Sequence, residues 1–317
     1  MDYIPLEKPI VELETQIQEL RRLSADQAID LGTEIQDLEE KADSLREKIF
    51  STLTPYEITQ LSRHPRRPNI KELIQRMCSS FVELHGDRNF FDDRAIVGGV
   101  AVLGGKRVVI IGHHKGRDTK ENIERNFGMA KPEGYRKALR LMSMAERFHL
   151  PIVTLIDTPG ADPGVGAEQR GQSEAIGKNI FVMLRLKVPI VSVVIGEGGS
   201  GGALALAVGN RVHMLQYAVY SVISPEGCAS ILLKDSAQAH KMAKSLQLTA
   251  AQTLGLGVID SVIPEPKGGA HRSPGVVAAR LQETIVRDLH ELSMLSGDEL
   301  REHRMNKFLT MGIIKDE

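Results

Sequence analysis

The chain of 317 residues has few of the side chains that build structural metal sites or nucleic-acid surfaces. Its two cysteines, Cys78 and Cys228, lie far apart and form no CxxC pair, so we expect no metal in this chain and a reduced setting. Tryptophan is absent and aromatic residues make up 4%, which argues against stacking platforms for single-stranded nucleic acid. The net charge of −1 adds no general attraction to nucleic acid, and we expect no such partner.

Long apolar runs are absent as well, because none approaches the roughly 20 residues needed to span a bilayer. The first residues, Met1–Pro5, are acidic and do not show the basic-then-apolar order of a signal peptide. We therefore expect a cytoplasmic protein with no membrane association. The shares of hydrophobic (42%) and charged (26%) residues are those of an ordinary chain that buries a sizeable core.

Residues 1–54 differ from the rest, with one glycine, Gly32, and apolar residues at alternating spacings of three and four. This pattern predicts two amphipathic helices, broken near Ser24 to Gly32, that form an antiparallel hairpin. Such an arm either packs on its own domain or serves oligomerisation, and the short heptad run favours packing. We expect two parts: the arm, 1–54, and an α/β domain with C-terminal helices, 55–317.

The second part begins with a basic, proline-broken connector, Arg63–Pro68, for which we expect a solvated linker, with phosphate contact as the alternative. A helix is expected over 70–84. The repeated unit after it is strand, strand, helix, rather than the strict alternation of a dinucleotide-binding fold. Apolar runs predict strands over 96–103, 108–112, 152–156, 189–195, 212–215 and 218–223, and helices over 166–186, 202–208, 236–246, 250–254 and 276–295.

The segment Gly196–Gly202 is the most informative stretch, because five of its seven residues are glycine. A strand-like run precedes it and a small-residue helical run follows it. Backbone N–H groups at the start of a helix, together with the helix dipole, favour negative charge. The segment therefore predicts an anion or oxyanion site built from the backbone.

Other motifs overlap the same glycines. Residues 196–201 match the dinucleotide fingerprint GxGxxG, but no acidic residue follows about 20 positions later to bind a ribose. Residues 198–202 match the GxSxG elbow of a serine hydrolase with Ser200 as nucleophile, and this alternative stays open. Its triad would be completed from Asp235, Asp260, His240 and His271. A P-loop is excluded because no Lys-Ser/Thr follows the glycines.

Two further segments offer groups for a ligand. The loop Asp157–Gly166 leaves a buried strand at the end where open α/β sheets bind ligands, although Asp157 itself is expected to cap backbone N–H groups. The basic stretch from His113 through Arg140 suits an anionic ligand such as a nucleotide-containing cofactor, or else forms a solvated helix face. Its adjacent histidines, His113 and His114, lack the partners of a metal site.

Five segments together carry a family pattern: Gly128–Arg140, Ile156–Ala161, Gly166–Ile176, the glycine-rich run and Tyr220–Ile231. They resemble the α subunits of the bacterial and plastid type of acetyl-CoA carboxylase carboxyltransferase, which belong to the crotonase superfamily. The resemblance covers nearly the whole chain, including the arm. Two residues depart from the pattern, since Asp162 stands where the family usually has an aromatic residue and Leu233 where it often has tryptophan.

The resemblance implies a crotonase-like (ββα)n superhelix with an N-terminal α-helical hairpin. It implies transfer of the carboxyl group from carboxybiotin, held on a separate biotin carboxyl carrier protein, to acetyl-CoA. The product is malonyl-CoA, formed in the first committed step of fatty acid synthesis. The implied partners are a zinc-ribbon β subunit, which shares the active site within an α2β2 heterotetramer, and biotin carboxylase in the full complex.

The family motif also assigns residues. The backbone N–H groups of Gly201 and Gly202 are expected to face the biotin carbonyl. The biotin pocket is expected to include Gly198, Gly199, Gly160, Ala161 and Gly164. Four basic residues are expected to help hold the anionic CoA moiety, namely Lys115, Arg117, Lys131 and Arg136.

Overall fold

A computed structural model describes residues 3–27 and 30–312 of the chain. The elements of its first half are α1 Lys8–Gln27, α2 Gly32–Ser51, α3 Pro55–Ser62, α4 Ile70–Met77, β1 Cys78–Glu83, β2 Ile96–Leu103, β3 Lys106–His113, α5 Thr119–Glu124, α6 Pro132–Arg147 and β4 Ile152–Thr158. Those of its second half are α7 Val165–Gln169, α8 Gln172–Arg185, β5 Ile190–Gly199, α9 Ser200–Ala207, β6 Arg211–Leu215, β7 Val219–Ser221, α10 Pro225–Leu232, α11 Ala239–Ser245, α12 Ala250–Gly255, β8 Ser261–Ile263, α13 Pro274–Leu292 and α14 Gly297–Leu309.

The strands form one mixed sheet in the order β1-β2-β3-β4-β5-β6-β8, and β7 pairs with β5 further along that strand. The pairs β1–β2 and β2–β3 are antiparallel, and the remaining pairs are parallel. The β2–β3 hairpin turns at Gly104 and Gly105, whose positive φ angles of 54° and 78° suit glycine.

Helices cover both faces of the sheet. The helices α6, α8 and α9 lie on one face, and α4 and α13 lie on the other. All seven residues of β4 are buried, as its continuous apolar run predicts for a strand between two helical layers. The C-terminal ends of β3, β4 and β5 lie side by side, so the segments that follow them gather at one edge, where such sheets bind ligands.

The helix predicted over 70–84 is wrong beyond residue 77. The chain leaves α4 at Met77 and continues as β1, which pairs with β2. Pairing with a distant strand determines the conformation here, and the local pattern does not contain that information. The helix predicted over 166–186 is likewise two helices, separated at Gly171 with its φ of 81°.

The N-terminal hairpin of α1 and α2 has the predicted antiparallel arrangement, since Arg46 near the end of α2 pairs with Glu14 near the start of α1 at 2.8 Å. Part of the predicted break, residues 28 and 29, lies outside the described residues, and α1 itself continues to Gln27. Over the ranges 3–27 and 30–312, no helix has the length and apolar character required to cross a membrane.

Candidate active site

The glycine-rich run is the junction between β5 and α9. The sequence predicted that the strand ends at Ile195, but β5 continues to Gly199 because residues Glu197–Gly199 pair with β7. The helix then begins at Ser200, whose φ of 52° is uncommon for a residue other than glycine. Such backbone strain at the turn before a helix is a frequent feature of functional sites.

The first residues of α9 border an open cleft with a volume of about 630 Å³. Ser200, Gly201 and Gly202 are the first three positions of the helix, where amide N–H groups have no partner within the helix. The cleft walls are the loop after β4, one side of α8 and the segment before α10, with these lining residues: Arg63, Met129, Pro159, Gly160, Ala161, Asp162, Pro163, Glu168, Gln172, Ser173, Ile176, Glu197, Ser200, Gly201, Val222, Ile223 and Ser224. A helix N-terminus on a cleft wall is suited to negative charge.

The two glycines at this turn have different surroundings. A Cβ atom on Gly201 would contact only Ile176, at 3.6 Å, so this position opens on the cleft. A Cβ atom on Gly202 would lie 2.6 Å from the amide nitrogen of Ala161 and 2.9 Å from the hydroxyl of Tyr135. Gly202 therefore allows the loop after β4 to pack against the start of α9.

The residues predicted for the biotin pocket divide into three groups. Gly160 and Ala161 line the cleft beside Gly201. Gly198 and Gly199 lie within β5, where added Cβ atoms would meet the Tyr220 ring and the Pro159 carbonyl. Gly164 precedes α7 and donates its N–H to Asp162, 2.8 Å away. Their assignment to biotin stays a prediction.

Five charged side chains form a continuous ion-pair chain beneath the cleft, in the order Glu226, Arg63, Glu197, Lys115 and Asp157. Glu197 lies 2.6 Å from Arg63 Nε and 2.7 Å from Lys115 Nζ. Burial would raise the pKa of Glu197, but Lys115 and Arg63 outweigh it and hold the pKa below its usual value. Burial would likewise lower the pKa of Lys115, but Asp157 and Glu197 hold it above its usual value.

The basic connector Arg63–Pro68 is neither a solvated linker nor free for phosphate at Arg63 and Arg67, because both arginines have carboxylate partners. Arg63 belongs to the ion-pair chain and lines the cleft. Arg67 is buried, pairs with Glu265 and donates a 2.6 Å hydrogen bond to the carbonyl of Ile195. Both arginines therefore bind groups on or next to the C-terminal end of β5.

A buried histidine lies behind the turn. His113, at the end of β3, is fully buried and close to the backbone of Gly202, and neither ring nitrogen has a hydrogen-bond partner among the described residues. Burial, and then the charge of Lys115, lower the pKa of His113 to about 3, so the ring is neutral near pH 7.

The four residues predicted to hold CoA are not equivalent. Lys115 is bound in the ion-pair chain, Arg117 pairs with Glu72 at 2.9 Å, and Arg136 pairs with Asp87 at 3.0 Å. Lys131 is exposed just before α6, and no carboxylate among the described residues forms an ion pair with its side chain. The CoA role of all four stays a prediction.

A second cleft of about 360 Å³ shares Ser200, Gly201 and Val222 with the first. Its remaining lining is mostly apolar: Leu204, Tyr220, Ser221, Leu246, Gln247, Thr253, Leu256 and Val258. The residue Gly201 thus borders two cavities of different polarity.

Comparison with known proteins identifies the family. A family model described as "Acetyl co-enzyme A carboxylase carboxyltransferase-like" matches residues 3–312. This chain belongs to that family. The acetyl-coenzyme A carboxylase carboxyl transferase subunit alpha of Methylococcus capsulatus is 54% identical over 316 residues, which cover 100% of this chain and 98% of the relative. That of Tolumonas auensis is 56% identical over 314 residues, which cover 98% of this chain and 99% of the relative.

Solved structures support the fold. Transcarboxylase 12S is 19% identical, with a TM-score of 0.59 over 72% of this chain and 42% of that chain. A chain of a Pseudomonas malonate decarboxylase hetero-tetramer in complex with coenzyme A is 17% identical, with a TM-score of 0.58 over 75% of this chain and 94% of that chain. These likenesses confirm the predicted crotonase-like fold.

The hydrolase alternative has no support in this carboxyltransferase fold. Asp260 accepts a hydrogen bond from the amide of Val212 and pairs with Lys307, while His271 pairs with Glu7. Asp235 caps the turn before α11. No hydrogen bond in the described part of the chain joins the Ser200 hydroxyl to a histidine, so the triad is not assembled.

Sequence reasoning missed several residues of the cleft. Arg63 and Glu197 were not singled out, nor was Gln172, which donates hydrogen bonds to the carbonyls of Ala130 and Asp162. The basic connector was the one available signal for Arg63. Nothing local marks Glu197 as its partner, because 134 positions separate the two.

Proposed function

We propose that this chain, together with a β subunit, transfers the carboxyl group of carboxybiotin to acetyl-CoA and forms malonyl-CoA. The single observation that carries the proposal is the start of α9 on the wall of the cleft, with Gly201 open to the cavity. Membership of the carboxyltransferase family supports the same reaction.

The cleft has room for a ring at the required place. A Cβ atom on Gly160 would meet only Ser200, at 4.0 Å, so this glycine and Gly201 together leave space at the start of α9. Bound carboxybiotin supplies the carboxyl group and leaves negative charge on its ureido oxygen. The Gly201 and Gly202 amides would stabilise that charge, and one preorganised donor contributes about 10²–10³ in rate.

The proposal includes the assembly. Relatives named subunit alpha support a partner β subunit. More specifically, we propose a zinc-ribbon β subunit that completes the active site in an α2β2 heterotetramer. A biotin carboxyl carrier protein and biotin carboxylase would supply the carboxyl group, in the cytoplasm.

The test is to purify the chain with and without its β subunit and to measure biotin-dependent decarboxylation of malonyl-CoA. We expect no turnover by the chain alone and clear turnover by the complex. Robust turnover by the chain alone would reject the shared site. A fluorophosphonate probe should leave Ser200 unlabelled, and labelling would favour the hydrolase.

A further inference from the structure

The ion-pair chain connects the segments that build the cleft. Asp157 is the last residue but one of β4, just before the loop that contributes Gly160, and Glu197 lies three residues before Ser200 on β5. Glu226 lies in the first turn of α10, directly after the cleft residues Val222–Ser224.

Two cations join these carboxylates across the sheet edge. Lys115 Nζ lies 2.7 Å from Glu197 Oε2 and 3.0 Å from Asp157 Oδ1. Arg63 contacts both Glu197 and Glu226. A hydrogen bond from the backbone also joins the two strands here, because the Glu197 N–H donates to Asp157 Oδ1 at 3.0 Å.

The turn needs a contact that holds it in place, and we call the Lys115–Glu197 ion pair the brace. Glycine has no side chain to restrict its backbone, and five glycines occupy the seven positions 196–202. An oxyanion site is effective only when its donors are held in place before the reaction. Glu197 is the one residue between Gly196 and Gly199 whose side chain can anchor this run.

We propose that Lys115 and Glu197 are positioning residues, whose partly buried ion pair fixes the start of α9 against the loop after β4 and so aims the Gly201 amide into the cleft. The inference rests on the proposed function for its effect on catalysis. It gives Lys115 a role other than the predicted contact with CoA. The charge of the ion-pair chain is consistent with this structural role. Its three carboxylates and two cations have a net charge of −1, which does not attract phosphate.

The test uses the chain in complex with its β subunit. The variants are Lys115→Met, Glu197→Gln and the double variant, with Lys267→Met as control, because Lys267 and Glu47 form an exposed pair. We expect each single variant to lower kcat about 100-fold, as small displacements of catalytic groups do, with the KM for malonyl-CoA within about twofold. The double variant should be no worse than either single variant, because the two residues act as one unit.

Other results would overturn the proposal. A raised KM with unchanged kcat in Lys115→Met would make Lys115 a CoA contact, and effects that multiply in the double variant would make the two residues independent. Should a single variant fail to fold, Lys115→Arg, which keeps the charge, is expected to retain kcat within about tenfold of wild type; a fall as large as that of Lys115→Met would contradict the brace.

A second readout separates this inference from the proposed function. Amide hydrogen exchange on the isolated chain should accelerate over residues 196–203 in Lys115→Met and Glu197→Gln but not in Lys267→Met. Unchanged exchange would reject the brace even if the complex is active. Faster exchange with a wild-type complex that shows no transfer would retain the brace and reject the proposed function.

Discussion

Two adjacent glycines of the cleft have separable roles at the scale of single residues. Gly201 faces open space, whereas Gly202 is buried in a close contact between α9 and the loop after β4. From the sequence, both are simply glycines of a flexible run. We therefore expect Gly201 to be needed for access to the cleft and Gly202 for packing.

We therefore predict different failures for Gly201→Val and Gly202→Val. Gly201→Val should lower kcat of the complex about 10²-fold or more, because its side chain occupies the space before the amide, with little change in the melting temperature of the chain. Gly202→Val should lower the melting temperature by several degrees, because overpacking costs about 1–3 kcal/mol. Gly177→Ala on α8 is the control, since a Cβ there meets nothing within 4 Å. Equal melting temperatures for the two valine variants would contradict this division.

The four predicted CoA residues also separate at this scale. We predict that Lys131→Ala raises the KM for malonyl-CoA a few-fold, and that the increase shrinks at high salt because exposed charges are screened. Arg136→Ala should mainly destabilise the chain, because it leaves the buried Asp87 without an ion-pair partner and leaves Glu133 with Arg170 alone. Kinetics at two salt concentrations and thermal unfolding distinguish these effects. An unchanged KM in Lys131→Ala removes that residue from the CoA site.

At the scale of elements, the sequence predicted what local patterns determine. The hairpin of α1 and α2, the strand β4 and the glycine-rich start of α9 follow from spacing and composition. The strand β1 and the ion-pair chain did not, because both depend on partners far along the chain. Lys115 and Glu197, for example, are 82 positions apart, and no local rule joins them.

The contact between the arm and the body is another element of this kind. Glu7, just before α1, is fully buried, with one oxygen 2.8 Å from His271 Nε2 and the other 3.0 Å from His64 Nε2. The two imidazole rings stack with centroids 3.8 Å apart. Burial would raise the pKa of Glu7, but hydrogen bonds with His271 and His64 hold it well below its usual value. Burial lowers the pKa of His271 despite Glu7.

We predict that acid loosens this contact. A carboxylate with a lowered pKa stabilises the folded state above its ordinary pKa near 4.5, and this stability is lost as the pH falls. A buried histidine with a lowered pKa also destabilises the folded state as the pH falls below its ordinary pKa near 6.5, because the unfolded chain then binds a proton that the folded chain does not. The protection factors of α1 amides, which are corrected for the pH dependence of intrinsic exchange, should therefore be lower at pH 5 than at pH 7.5, chiefly through His271. Glu7→Gln should lower these protection factors already at pH 7.5, and Glu47→Gln, in an exposed pair, is the control. Protection factors that do not change with pH would reject the role of this cluster.

At the scale of the whole molecule, the arm and the body are joined by buried charge, so the division at residue 54 stays a prediction. A further buried histidine of the body, His114, directly follows β3. It is 2% exposed, and neither of its ring nitrogens is hydrogen-bonded to a described residue. Burial, followed by the charge of Arg125, lowers the pKa of His114 to about 3, although Glu121 opposes it. With His113, two neutral imidazole rings are thus buried at the C-terminal end of β3.

These rings predict how the stability of the chain depends on pH. Below the ordinary histidine pKa near 6.5, the unfolded chain takes up protons that the folded chain refuses, so the free energy of unfolding falls as the pH decreases. At pH 5 the loss is about 2 kcal/mol for each ring. His114→Phe keeps a ring of similar size and gives up no hydrogen bond. Between pH 7 and pH 5, its free energy of unfolding should therefore fall by about 2 kcal/mol less than that of the wild type. Denaturant titrations at both pH values measure this, with His240→Gln on the surface as control. Parallel losses in wild type and His114→Phe would show that His114 is not the titrating group.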